Sequence, residues 1–214
     1  MPVSERLPAG MRMLRRHWRI VLYPIGLVPA GWLLWQGQHG QLGADPVNVF
    51  ERSLGLWAFR FLTLCLMLAP LRAITGINLL RYRRLTGLLA FFYALLHFCA
   101  YVGLDIHFDW HVLWKDITSR LFLIFGMMAL LLLFPLALTS NAASMRWLKR
   151  GWKRLHWLIY PSACLASLHF FLSFKTLNST TGFYLSIMAA VLMSRLPFVK
   201  NFLRTVRRPG AGPV

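Results

Sequence analysis

Acidic residues are scarce in this chain. Six Asp and Glu stand against 24 Lys and Arg in 214 residues, for a formal net charge of +18. Charge of either sign is also thin, at 14% of residues against the roughly 25% of a soluble domain. That shortage, with 57% hydrophobic residues, excludes an ordinary water-soluble globular fold. Cysteine is limited to Cys65, Cys99 and Cys164, each inside an apolar run and none in a C-x-x-C pair. A dithiol redox motif and a thiolate zinc site are thereby excluded, and packed structural thiols remain. A Gly-rich phosphate loop, a nicotinamide site and any inter-run segment long enough for a soluble domain are also missing. Electrons or substrate must therefore be delivered by another molecule. A basic chain often binds nucleic acid. Here the bases flank apolar runs, where they act as topological signals, so no nucleic acid partner is expected.

What the chain has is long apolar runs, and these make lipid the expected solvent. The runs are 20–36, 54–71, 85–104, 121–138, 155–174 and about 177–194. Each suits a helix crossing ~30 Å at about 1.5 Å per residue. The first follows Arg12, Arg15, Arg16 and Arg19 in the manner of a signal peptide. It is too long for a typical signal core and is followed by no A-x-A site, so it reads as a retained helix. The expected fold is all-α: a polytopic membrane helix bundle of about six transmembrane helices. It forms one domain over 1–214, with basic tails at 1–19 and 200–214. Of the 24 basic residues, 19 fall in the N-terminus, the 72–84 and 139–154 loops and the C-terminus. Asp45, Glu51, Asp105, Asp109 and Asp116 all fall on the opposite side. The positive-inside bias then predicts both termini in the cytoplasm and a multi-pass protein of the bacterial inner membrane.

Three of the seven histidines, His97, His156 and His169, lie within predicted spans. An ionisable group in lipid is a functional candidate by default. Neutral imidazole ligates haem iron, and two imidazoles fill both axial positions, which suits electron transfer because no position is left for substrate. His97 follows Arg84 by 13 residues, or ~20 Å of helix, and His169 follows Arg154 by 15, or ~22 Å. Both spans run in the same direction, so the two histidines share a depth, and one haem would bridge them. The alternative is a pair hydrogen-bonded to neighbouring helices. His156 lies ~20 Å from His169 on the same helix, a spacing suited to a second haem. On an ideal helix the two side chains point about 140° apart, and the facing span offers Arg83 and Arg84 at that depth in place of histidine. An interfacial role for His156 stays open. Arg60, deep in the second span, would pair with a haem propionate or snorkel to headgroups. His107, Asp109 and His111 read as a solvated loop, with metal binding the minor alternative.

Several motifs carry a resemblance. They are H-G-Q-L-G-A-D-P-V at 39–47, R-R-L-T-G-L at 83–88, L-H-F-C-A-Y at 96–101 and K-D-I-T-S-R at 115–120. L-A-L-T-S at 136–140, W-K-R-L-H-W-L-I-Y at 152–160 and L-H-F at 168–170 follow. In order and spacing the chain resembles the MsrQ (YedZ) family, haem-binding membrane subunits of the MsrPQ protein-methionine-sulfoxide reductase system within the ferric-reductase-like transmembrane group. The resemblance implies haem b and, from family assignment alone, FMN. It implies electrons drawn from the quinone pool or a cytosolic flavin reductase. They would pass to a periplasmic molybdopterin-containing MsrP-type partner that performs the sulfoxide reduction. By position, His97 and His169 match the paired ligands and His156 the third family histidine. The competing readings are a stand-alone ferric or quinone reductase-type cytochrome b, which would need its own nicotinamide–flavin domain, and a non-redox transporter. The transporter reading is weakened by the scarcity of polar groups in the spans.

Overall fold

The computed structural model describes residues 9–174 and 179–196, with side chains from residue 22. The C-terminal tail at 200–214 and the first residues of the sixth expected run lie outside the described residues. Every regular element among those described is helical. The chain divides into two units, residues 1–50 and 51–214.

The first unit holds α1 (Ala9–Gln38), which encloses the first expected run in one helix containing Pro24 and Pro29. It ends in a turn where Gly40 and Gly43 adopt φ of 66° and 83°, a region L side chains avoid. Asp45 then stands at the start of α2 (Pro46–Thr75) and accepts a hydrogen bond from the Asn48 amide at 3.2 Å. Pro46 takes the first helical position, where its missing N–H costs nothing. The L-G-A-D-P-V segment is thus a glycine turn followed by a helix cap.

In the second unit α2 continues, followed by α3 (Arg83–Ala100), α4 (Trp110–Ser119), α5 (Leu121–Leu138), α6 (Ala142–Leu148), α7 (Arg150–Leu155), α8 (Ile159–Ser173) and α9 (Ser179–Met193). Among the described residues, four helical stretches are long and apolar enough to cross a membrane: Pro46–Thr75, Leu80–Asp105, Leu121–Leu138 and Arg150–Ser173. The apolar α9 is shorter, at 15 residues. Two of the segments read as loops contain helices, α4 and α6–α7. Asp109 caps α4 through the His111 and Val112 amides at 2.9 and 3.2 Å, and Asn141 caps α6 through Ser144 at 2.8 Å. Both caps place a side-chain oxygen on otherwise orphaned N–H groups.

Prolines shape the long helices. Pro161 cannot donate to the Trp157 carbonyl, and the backbone tightens there into a 3-10 turn, His156–Leu158, between α7 and α8. Pro70 likewise frees the Leu66 carbonyl, and the Arg195 guanidinium donates to that oxygen from beyond the end of α9. At its far end α3 widens into a π turn, Tyr101–Asp105.

One core joins α2, α3, α5, α8 and α9 through Phe59, Leu66, Ala90, Leu133, Ala163 and Met188. Helices in lipid gain little from hydrophobicity against one another, so close approach depends on small residues. α5 and α8 show this: Ala129, Ser162 and Ala163 are buried, and the Ser162 hydroxyl donates to the Ala129 carbonyl at 3.0 Å. On α5, Gly126, Ala129, Leu133 and Leu136 fall on one face; on α8, Ile159, Ser162, Ala166 and His169 do. The pairing of those two faces sets the position of His169.

Candidate functional site

His97 stands near the end of α3 and His169 near the end of α8. Their ring centres are 6.0 Å apart with planes at 68°. Each ring is fixed by a helix that is not its own. Nδ1 of His97 lies 2.9 Å from the Glu51 carbonyl on α2, and Nδ1 of His169 lies 2.7 Å from the Phe122 carbonyl on α5. A carbonyl can only accept, so Nδ1 carries the proton in both rings, and Nε2 is left unprotonated with a lone pair able to act as a ligand. A ligand histidine is oriented by this kind of partner. The Glu51 carboxylate stands 4.0 Å from the same His97 nitrogen.

The approach of each ring depends on a glycine. A Cβ at Gly55 would sit 3.3 Å from Nδ1 of His97, and a Cβ at Gly126 would sit 2.7 Å from Nδ1 of His169. Gly55 follows Glu51 by four residues, and Gly126 follows Phe122 by four. Phe122 lies 5.9 Å from the His169 ring, and Phe170, the next residue on α8, stacks on Phe59 of α2 at 4.8 Å.

The family described as ferric reductase like transmembrane component matches residues 54–167. A relative from Brucella ovis is named as the heme-binding subunit MsrQ of protein-methionine-sulfoxide reductase. It is 48% identical over 198 residues, covering 92% of this chain and 89% of the relative. Relatives from Brucella canis and Brucella suis carry the same name with the same identity and coverage. The chain belongs to the MsrQ family.

The remaining candidate residues of this MsrQ family member make other contacts. His156 is at the opposite end of α8, on the 3-10 turn. Its ring packs on Trp152 at 4.0 Å, and Nε2 is 3.2 Å from the Thr139 hydroxyl oxygen. That hydroxyl donates to the Pro135 carbonyl at 2.6 Å, so it accepts from His156. Trp152 completes the group by donating to the Thr139 carbonyl at 2.9 Å. Arg60 sits five residues past Gly55 on α2, about 7.5 Å along the helix. Its Nε donates to the Tyr184 hydroxyl at 2.8 Å, and its guanidinium lies 4.6 Å over Trp57 and 5.2 Å over Tyr184. Those aromatic faces stabilise a cation in an apolar setting.

His107 and Asp109 belong to the turn before α4, and no group of three or more His, Cys, Asp or Glu able to hold a metal occurs among the described residues. Asp116, in a segment the sequence reads as a solvated outer loop, is instead buried. It accepts from the Tyr101 hydroxyl at 2.8 Å and lies 3.4 Å from Arg120 Nε. α4 is amphipathic, and this face turns inward while Trp110 and Trp114 face out. Nothing in the sequence marks out Gly55, Gly126 or the two anchoring carbonyls. A glycine inside an apolar run was the only signal, and glycine is common in such runs.

Proposed function

We propose that this chain is the haem-holding electron-transfer subunit of a protein-methionine-sulfoxide reductase system, with His97 and His169 as the axial pair. The observation that carries this reading is the 6.0 Å separation of two rings whose Nδ1 atoms are both engaged by backbone carbonyls. Two metal–imidazole bonds of about 2 Å each, with the ring radii added, give a separation of about 6 Å. The donor set therefore fits a bis-histidine iron. The bound haem b would supply one-electron transfer, and with both axial positions filled it would leave none for substrate. The protein's share is to hold the two rings in one tautomer, with Phe122 packed beside His169. Arg60 is the candidate partner for a propionate. His156 belongs to the other end of the bundle. Its bond to Thr139 and its packing on Trp152 support an interfacial role on the electron-donor side.

The Brucella relatives, named as haem-binding subunits of this reductase, support the same function. The chain then takes electrons from a quinone or a cytosolic flavin reductase and passes them to a periplasmic catalytic subunit of the molybdopterin-containing type. The distribution of basic residues supports cytoplasmic termini in an inner membrane. FMN rests on family resemblance alone. The test is absorbance of the purified protein. A Soret band with the low-spin bands of a six-coordinate haem is expected, and dithionite should reduce it. Purified, folded protein that takes up no haem would overturn the reading.

A further inference from the structure

The two imidazoles sit on their neighbours in the same way, although the helices involved differ. In each case a ring lies across a helix, donates from Nδ1 to a backbone carbonyl, and crosses the position four residues later, which is glycine. In an α-helix the carbonyl of residue i already accepts from the amide of residue i+4. The side chain at i+4 lies over that carbonyl, on the face from which a second donor must come. A glycine at i+4 opens this approach, and the carbonyl's second lone pair becomes available to the ring. Glu51 with Gly55 serves His97, and Phe122 with Gly126 serves His169.

We propose that Gly55 and Gly126 are positioning residues for the paired imidazoles, each keeping open the groove in which a histidine of another helix reaches a backbone carbonyl. The inference rests on the haem reading above and adds to it a determinant of ring orientation. The two positions differ in tightness. At 2.7 Å from Nδ1 and 2.9 Å from Cε1 of His169, a Cβ on Gly126 has no room, and the ring must move. At 3.3 Å from Nδ1 and Cε1 of His97, a Cβ on Gly55 displaces the ring by tenths of an ångström. Gly182 on α9 has nothing within 4 Å of its added Cβ and serves as the reference. Helix propensity favours alanine at all three sites, so any loss at the first two reports contact with the ring.

The experiment compares Gly126→Ala, Gly55→Ala and Gly182→Ala with wild type in the haem-loaded full chain. The readouts are haem affinity and the ferric electron paramagnetic resonance spectrum, which reports the angle between axial imidazole planes. Gly126→Ala should weaken haem binding about 10-fold or more, the scale of a lost orienting partner, and move the low-spin signal or convert it to high spin. Gly55→Ala should keep its haem and show a smaller displacement of the same signal. Gly182→Ala should match wild type. A wild-type spectrum and affinity for Gly126→Ala would overturn the proposal, as would an equal loss in Gly182→Ala. If Gly126→Ala does not accumulate as folded protein, Gly55→Ala decides, and an unshifted spectrum there overturns it. A wild-type chain without low-spin haem defeats the haem reading and this inference together. Normal wild-type haem with unaltered glycine variants defeats the inference alone.

Discussion

The imidazoles of His97 and His169 owe their tautomer to carbonyls on α2 and α5, and that makes their loss symmetrical. If the proposed pair holds a haem, His97→Ala and His169→Ala should each remove one ligand or empty the site. Their absorbance spectra at equal protein should show the same defect, and both should block reduction of a partner. His156→Ala removes a ring held by Thr139 and Trp152 at the other end of α8. It should spare the low-spin spectrum and slow only electron arrival from the donor, measured as the rate of haem reduction. A wild-type spectrum in His97→Ala together with its loss in His156→Ala would place the haem at the other end of the bundle. Arg60 is held by Tyr184 and two aromatic faces, so Arg60→Gln should retain the fold. A reduced haem content in that variant is the expected mark of a lost propionate partner.

At the scale of elements, α5 and α8 approach through Ala129, Ser162 and Ala163, and His169 rides on that contact. Ala163 is fully buried. Ala163→Leu overpacks the seam by an amount expected to cost about 1–3 kcal/mol, visible as a lower Tm in detergent. The displacement should propagate to the low-spin spectrum, because His169 lies six residues on along the same helix. α4 is tied to the π turn by Tyr101 and Asp116. Tyr101→Phe removes a hydrogen bond to a buried carboxylate, worth about 1.5–3 kcal/mol. It should lower Tm while leaving haem content intact. Unchanged Tm would show that this network contributes nothing to stability.

For the whole molecule, the basic residues argue for cytoplasmic termini, and a reporter active only in the periplasm, fused to residue 214, should stay silent. Strong activity would sink that orientation. Within the proposed role, Asp116 is no candidate for docking a partner, because its carboxylate is engaged by Tyr101 and Arg120; the exposed Asp45 and, separately, the outward indoles of α4 are the candidates to test. Asp45→Asn and Trp114→Ala should slow electron transfer to the partner, the first in a salt-dependent manner, without altering the haem spectrum. Rates equal to wild type at every salt concentration would assign Asp45 to its helix cap alone.

Apolar run length and the placement of arginines were readable from the chain because a bilayer imposes both locally, one residue after another. The α5 run, 121–138, coincides with its helix for that reason. The shared depth of His97 and His169 was equally legible, since depth along a helix is a count of residues from a charged end. Rotation about each helix axis was not legible. Which face His169 presents depends on small residues meeting across the α5–α8 seam, and which carbonyl it reaches depends on a glycine 43 positions earlier in the chain. The burial of Asp116 was hidden for the same reason, because its position fits a solvated loop until Tyr101 is brought against it. Hydropathy and charge are summed along the chain and survive without tertiary contacts. Ring orientation, hydrogen-bond partner and the direction a carboxylate faces arise only when helices distant in sequence pack side by side.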